Sequence, residues 1–254
     1  MKIISYNLNG IRAAMKKDLI GFLKEQDADI VGFQELKANA EQFAVEEFEA
    51  LGYHCNWFSA QKKGYSGVAL LSKQKPDHVE MGCGIELYDF EGRVIRADFG
   101  DLSVFSVYFP SGSSGEIRQG IKIQFLADIQ KYIDELKKTR PNIILMGDYN
   151  VAHESIDVYN PDKAKKSSGH LPEEREWMTK WLESGLTDAF RIKHPELSEY
   201  SWWSYRRSNR SYNRGWRIDY QSVSNNIADK IIDCRQLTDS VHSDHCPVVL
   251  EIDL

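Results

Sequence analysis

Short apolar runs at 3–6, 30–33, 68–71, 94–99, 104–109, 143–146 and 248–252 recur along this chain. Their brevity and β-branched content make them buried strands rather than helices. Between them, apolar residues return at helical spacing over 12–25, 40–51, 121–138 and 172–183, the last opening on Pro172, which a first helical turn tolerates. Strand and helix signals interleave from end to end, which predicts an α/β architecture, and this many central strands predicts at least two sheets. A chain of 254 residues with 42% hydrophobic content can bury a substantial core, so a single domain over 1–254 is expected. The stretches 111–118 and 160–171 read as long loops, not as linkers.

No apolar run exceeds about five residues, against the roughly 18 needed to span a bilayer, so membrane insertion is not expected. Cys55, Cys83, Cys234 and Cys246 form no paired Cys-x-x-Cys spacing. Isolated cysteines of this kind are usually small buried hydrophobes in a reducing compartment, which predicts a cytoplasmic protein. The net charge of −6 argues against nonspecific coating of nucleic acid, although a local basic face can still steer a polyanion. The run Lys165-Lys166-Ser167-Ser168-Gly169 lacks the preceding glycines of a nucleotide-binding loop.

The polar residues that matter sit at the lips of the apolar runs: Asn7 and Asn9, Glu35, Asp148 with Asn150, Asp219, and Asp244 with His245. Strand ends can gather such residues into one pocket. Carboxylate and amide oxygens suit a small hard cation such as Mg²⁺, and a lone histidine beside them suits proton transfer on a phosphate ester. The expectation is a metal-dependent phosphodiesterase. Gly147 ends one strand and lets Asp148 and Asn150 emerge on one side of a tight turn. Taken alone, each could simply cap that turn. Glu35, at the end of a strand apolar on both faces, is the first choice of metal ligand; alone it could be a solvated strand end. Asn7 could hold a metal water or a phosphate oxygen. His245 can exchange a proton near neutral pH if a carboxylate fixes its tautomer, and Asp219 is the candidate. A zinc site from His242, His245 and Cys246 lacks a compelling fourth ligand.

From 200 to 218 the chain carries Arg206, Arg207, Arg210, Arg214 and Arg217 without an acid, interleaved with Trp202, Trp203, Tyr205, Tyr212 and Trp216. Guanidinium forks match phosphates and aromatic faces stack on bases or sugars, so nucleic-acid contact is expected. Trp203 is the tryptophan expected to pack in the core.

These residues, with Ser5-Tyr6-Asn7-Leu8-Asn9-Gly10-Ile11-Arg12-Ala13, Gln34-Glu35-Leu36-Lys37, Gly64-Tyr65-Ser66-Gly67-Val68-Ala69, Tyr108-Phe109-Pro110, Gly147-Asp148-Tyr149-Asn150, Asn213-Arg214-Gly215-Trp216-Arg217-Ile218-Asp219-Tyr220 and Ser243-Asp244-His245-Cys246-Pro247, closely resemble the exonuclease III type of apurinic/apyrimidinic endonuclease. That group is a branch of the endonuclease/exonuclease/phosphatase superfamily, and the likeness spans nearly the whole chain. It implies a four-layer α/β/β/α sandwich of two mixed sheets flanked by helices. It further implies Mg²⁺-dependent cleavage, with Mn²⁺ possible, of double-stranded DNA on the 5′ side of abasic sites, leaving a 3′ hydroxyl and a 5′ deoxyribose phosphate. Exonuclease action and cleaning of blocked 3′ ends accompany this in the family, and the expected protein is a monomer, nucleoid-associated when at work.

By the same resemblance Glu35 is the principal metal ligand, with Asn7 and Asp244 assisting. Tyr108, Asp148, Asn150, Asp219 and His245 are catalytic, and the sequence leaves open whether Asp148 or His245 takes the proton. Trp202 and Trp216 wall the pocket for the extruded base-less sugar, and from the acid-free segment itself Arg206, Arg210 and Arg217 are expected to meet DNA. Two departures stand out: Ser111 follows Tyr108-Phe109-Pro110 where relatives often have Asn or Gln, and Arg206 replaces an apolar wedge. The rival expectation is a superfamily phosphatase of inositol or lipid head groups, which uses the same catalytic skeleton.

Overall fold

The computed structural model describes residues 1–205 and 209–254. One six-stranded sheet runs β11 (Ile231–Gln236), β12 (Val248–Ile252), β1 (Lys2–Asn7), β2 (Ile30–Gln34), β4 (Val68–Ser72), β3 (His54–Phe58). The other runs β5 (His78–Met81), β6 (Val94–Phe99), β7 (Leu102–Tyr108), β8 (Asn142–Asp148), β10 (Asp219–Ser224), β9 (Leu186–Asp188). Each is mixed: β1 pairs parallel with β2, and β7 parallel with β8, inside otherwise antiparallel neighbours.

Side chains alternate across each strand, and this period of two builds the layers. Ile3, Ile30, Leu70, Val104, Ile144 and Leu250 meet in the core between the sheets. Their neighbours Ile4, Val31, Phe33 and Val249 face outward onto Ile11 of α1 (Ile11–Met15), Leu19 and Leu23 of α2 (Leu19–Gln26) and Phe48 of α3 (Glu46–Glu49). On the far side, Phe105, Val107, Ile143 and Leu145 pack with Tyr88 of α4 (Glu86–Phe90) and with Phe125, Ile129 and Ile133 of α5 (Glu116–Leu136). Beyond α6 (Pro161–Ala164), Met178 and Trp181 of α7 (Pro172–Glu183) join that layer, and α8 (Ala189–Lys193) follows. The result is the helix, sheet, sheet, helix layering expected from the sequence. Among the described residues no helix is long and apolar enough to cross a membrane.

The departures are local. The helix expected over 12–25 breaks at Asp18, which takes a left-handed conformation (φ 65°) and caps α2 by accepting a hydrogen bond from the Gly21 amide. The one expected over 40–51 is a 3₁₀ turn, Ala40–Gln42, followed by the short α3. Helix α5 begins at Glu116 rather than 121, and α6 forms inside the expected loop 160–171. Strands β3, β5, β9, β10 and β11 lack an apolar run. β10 is central all the same, because its polar side chains bond internally: Tyr149 and Trp181 donate to Ser222, and Gln221 donates to the carbonyls of Ile3 and Val248.

One expected DNA contact is spent on the fold instead. Arg217 is 1% exposed, and its guanidinium pairs with Asp157 at 2.8 Å and with Asp188 at 2.8 Å. It presents nothing to a phosphate. Burial disfavours the Asp157 carboxylate, but the charge and hydrogen bonds of Arg217 prevail and hold its pKa at about 2. Because the folded value is depressed, the contribution is complete above the ordinary carboxylate range and is lost as pH falls from about 4 toward about 2. Asp157→Asn should cost roughly 3 kcal/mol in urea unfolding at pH 7 by leaving a buried cation under-compensated. The gap from wild type should close as the titration is repeated toward pH 2; a gap independent of pH would count against this assignment.

Candidate active site

Strand directions bring the polar lips together. The C-terminal ends of β1, β2 and β8 carry Asn7, Glu35 and Asp148, while β10, antiparallel to β8, starts at the same end with Asp219 opposite Asp148. His245 precedes β12, whose first residue Val248 pairs antiparallel with Ser5 of β1. Glu35, Asp148 and His245 thus line one cleft of about 310 Å³, with Asn7 and Asp219 buried behind them.

Asn7 is fully buried, and its amide donates both to Asp148 Oδ2 at 2.8 Å and to Glu35 Oε1 at 3.1 Å, spanning the two carboxylates. Glu35 sits in a left-handed turn (φ 51°) that the Gly64–Val68 segment holds: the amides of Leu36 and Lys37 donate to the carbonyls of Gly67 and Ser66. Lys37 completes the turn with an ion pair to Glu35 Oε2 at 2.7 Å. At the end of β8, Gly147 is required by crowding, because a Cβ there would lie 1.9 Å from the Val107 carbonyl oxygen. Asp148 Oδ1 then accepts the Asn150 amide at 2.8 Å, and the Asn150 side chain donates to the Phe109 carbonyl at 2.9 Å.

His245 lies between two acids. Its Nδ1 is 2.9 Å from Asp219 Oδ2 and its Nε2 is 3.9 Å from Asp148 Oδ2. Burial alone would push the imidazole pKa down, but Asp219 outweighs it, with Asp148 adding to the effect, and the pKa rises. The Asp148 pKa also rises, through burial first and the Asp219 charge second, with His245 opposing. Ser201 secures Asp219 by donating to Oδ2 at 2.6 Å while its own oxygen accepts the Ile218 and Asp219 amides. Asp244 is engaged on both oxygens, by Asn9 at 2.9 Å and by the Trp202 indole at 3.1 Å. Tyr108 is buried, and burial together with Glu35 and Asp148 keeps its phenol protonated.

Glu35, Asp148 and His245 each offer a ligand atom, and these lie within 4.8 Å of one another. The two carboxylates suit a hard divalent ion, while the imidazole beside them, paired with Asp219, suits proton transfer. Asp244 stands outside that group of three. Trp202 and Trp216 pair through their backbones and line the cleft, whereas Trp203 is 3% exposed and packs in the core.

The expected DNA contacts fare unevenly. Arg210 lies over the Trp203 ring and donates to the carbonyls of Ser243, Thr238 and Ser240, so it braces the loop leading to Asp244 and His245 and does not reach for a phosphate. Arg217 is internal, as described, and Arg206 lies outside the described residues. A groove of about 570 Å³ lined by Arg12, Lys16 and Lys37 supplies a basic track beside Glu35 that sequence reasoning did not single out. Ser201 was missed as well. Its only signal was a serine in an aromatic segment.

Residues 4–245 match the model of the Endonuclease/Exonuclease/phosphatase family. The chain is 44% identical to an exodeoxyribonuclease of Bacillus subtilis over 256 residues, covering all of both chains. It superimposes on an AP endonuclease from Archaeoglobus fulgidus with a TM-score of 0.92 at 32% identity, covering all of both. A 3′ phosphatase from Neisseria bound to a product DNA hairpin aligns with a TM-score of 0.93 at 30% identity, again over both full lengths.

Proposed function

Because the chain belongs to the endonuclease/exonuclease/phosphatase family, we propose that it is a DNA-repair phosphodiesterase that incises the backbone 5′ to abasic sites and trims or cleans 3′ ends. The observation that carries this is a histidine held between two buried acids, beside Glu35, in a cleft walled by two tryptophans. Such walls fit a sugar without a base and exclude an intact nucleotide by shape. The rival reading as an inositol or lipid head-group phosphatase is set aside, since the relatives that align over the full chain are a deoxyribonuclease, an AP endonuclease and a DNA 3′ phosphatase.

In this proposal Glu35 and Asp148, with Asn7 spanning them, would hold Mg²⁺, or Mn²⁺ in its place. A bound divalent ion supplies charge to offset what builds up on the phosphate oxygens. The remaining chemistry belongs to the chain. Protonated His245, fixed by Asp219, donates to a non-bridging phosphate oxygen, and the Tyr108 phenol donates to another. Asp148, oriented by Asn150 and made a stronger base by burial and the Asp219 charge, takes the proton of the attacking water. The P–O3′ bond then breaks and the departing 3′ oxygen takes a proton from solvent water, leaving a 3′ hydroxyl and a 5′ deoxyribose phosphate. Arg12, Lys16 and Lys37 would guide the strand through Coulombic attraction.

A labelled duplex with one abasic analogue tests the reading. Incision immediately 5′ to the analogue is expected with Mg²⁺, and its abolition by chelator. Release of phosphate from inositol phosphates without any DNA cleavage would replace this reading with its rival.

A further inference from the structure

Behind the cleft lies an ion pair that touches no substrate. Lys122 of α5 and Glu174 of α7 are both 0% exposed, and their charged atoms are 2.6 Å apart. A buried pair of this kind is poor evidence for stability, since desolvation offsets most of the Coulombic gain. What it bonds to is more telling. Lys122 Nζ also donates to the Asn150 carbonyl at 2.7 Å, on the catalytic turn. Glu174 Oε2 accepts the amides of Gly169 at 2.6 Å and Leu171 at 2.9 Å, on the loop that forms the facing wall. Its other oxygen accepts from Gln119 at 3.0 Å, and Gln119 in turn lies against Gly112, between Ser111 and Ser113 of the third wall.

Three walls of the cleft therefore meet at one pair. Gly169 is wedged where they converge: a Cβ on it would stand 3.1 Å from the Asn150 oxygen and 3.1 Å from the Trp216 ring. We infer that the Lys122–Glu174 pair is a specificity-determining clip that fixes the gap between Asn150 and Trp216, and so the exclusion of nucleotides that still carry a base. It acts through the backbone of the walls, so both members are positioning residues. The inference deepens the functional reading above and rests on it.

The test compares kcat/KM for incision at an abasic analogue with kcat/KM for removal of a normal 3′ nucleotide from intact duplex. Lys122→Met combined with Glu174→Gln removes both charges, leaving no unpaired buried ion, and keeps an acceptor near Gly169. The preference for the abasic duplex should fall about tenfold, because a displacement of an ångström or less is felt at a shaped site. A change in stability alone would lower both rates together and leave the ratio where it was. Should the double variant fail to fold, as judged by circular dichroism, Gly169→Ala perturbs the same gap from the other wall without touching a charge, and the same fall is expected. An unchanged ratio in a folded variant would overturn the clip while leaving the functional reading intact. A wild-type protein that cuts neither duplex would overturn both.

Discussion

Glu35→Gln is expected to lower kcat/KM on abasic duplex by several orders of magnitude, roughly 3 to 6 kcal/mol of transition-state stabilisation. The substitution keeps shape and one carbonyl oxygen, so the Asn7 amide retains an acceptor in place of Glu35 Oε1. What goes is the charge. Asp148 is 1% exposed, whereas the Glu35 side chain is 15% exposed. Losing its charge weakens the hold on a divalent ion and frees Lys37 from its partner. The variant should therefore need a higher Mg²⁺ concentration for half-maximal rate, with a melting temperature within a few degrees of wild type. Rates measured across a Mg²⁺ titration check both statements. Wild-type turnover at low Mg²⁺ would remove Glu35 from the ligand set.

Why Glu35 was readable from sequence, and Arg217 was misread, has a physical cause. A carboxylate that ends a strand apolar on both faces must lie at the end of the sheet, where the buried run stops and the chain can turn out to solvent. The same argument located Asn7, Asp148 and the segment before β12. Arg217 and Arg210 carry no such constraint. Each looks like a free cation in a stretch without acids, yet Asp157 lies 60 residues from Arg217 in sequence and reaches it only through the fold. Arg210 finds its acceptors among backbone carbonyls, which have no sequence signature at all. Lys122 and Glu174 illustrate the same blindness, since charged residues on two helices normally face water. Strand β10 escaped notice because its partners hydrogen-bond its polar side chains, so burial did not require an apolar run. Two sheets were legible because the parallel pairs at their centres do require apolar runs, while their four-layer stacking came from the family resemblance.

The second large effect is expected at His245. His245→Ala should reduce kcat/KM by roughly 3 to 6 kcal/mol, since it removes the donor between the phosphate and Asp148 and leaves Asp219 buried without its imidazole. Asp219→Asn separates the two parts of that loss. The amide keeps an oxygen that can accept from the imidazole and from Ser201, so the ring should stay in place, but the charge that keeps the ring protonated is gone. An intermediate loss is expected, about 2 to 4 kcal/mol, because the ring keeps its place and only the part of the rate that needs its charge is removed. The double variant should be little worse than His245→Ala alone, because Asp219 hydrogen-bonds the reacting groups through the ring it orients. Single-turnover rates on abasic duplex at saturating Mg²⁺ give all four values. Losses that simply add would mean that Asp219 touches the reaction by a route of its own, and the assignment of His245 as its sole client would have to be abandoned.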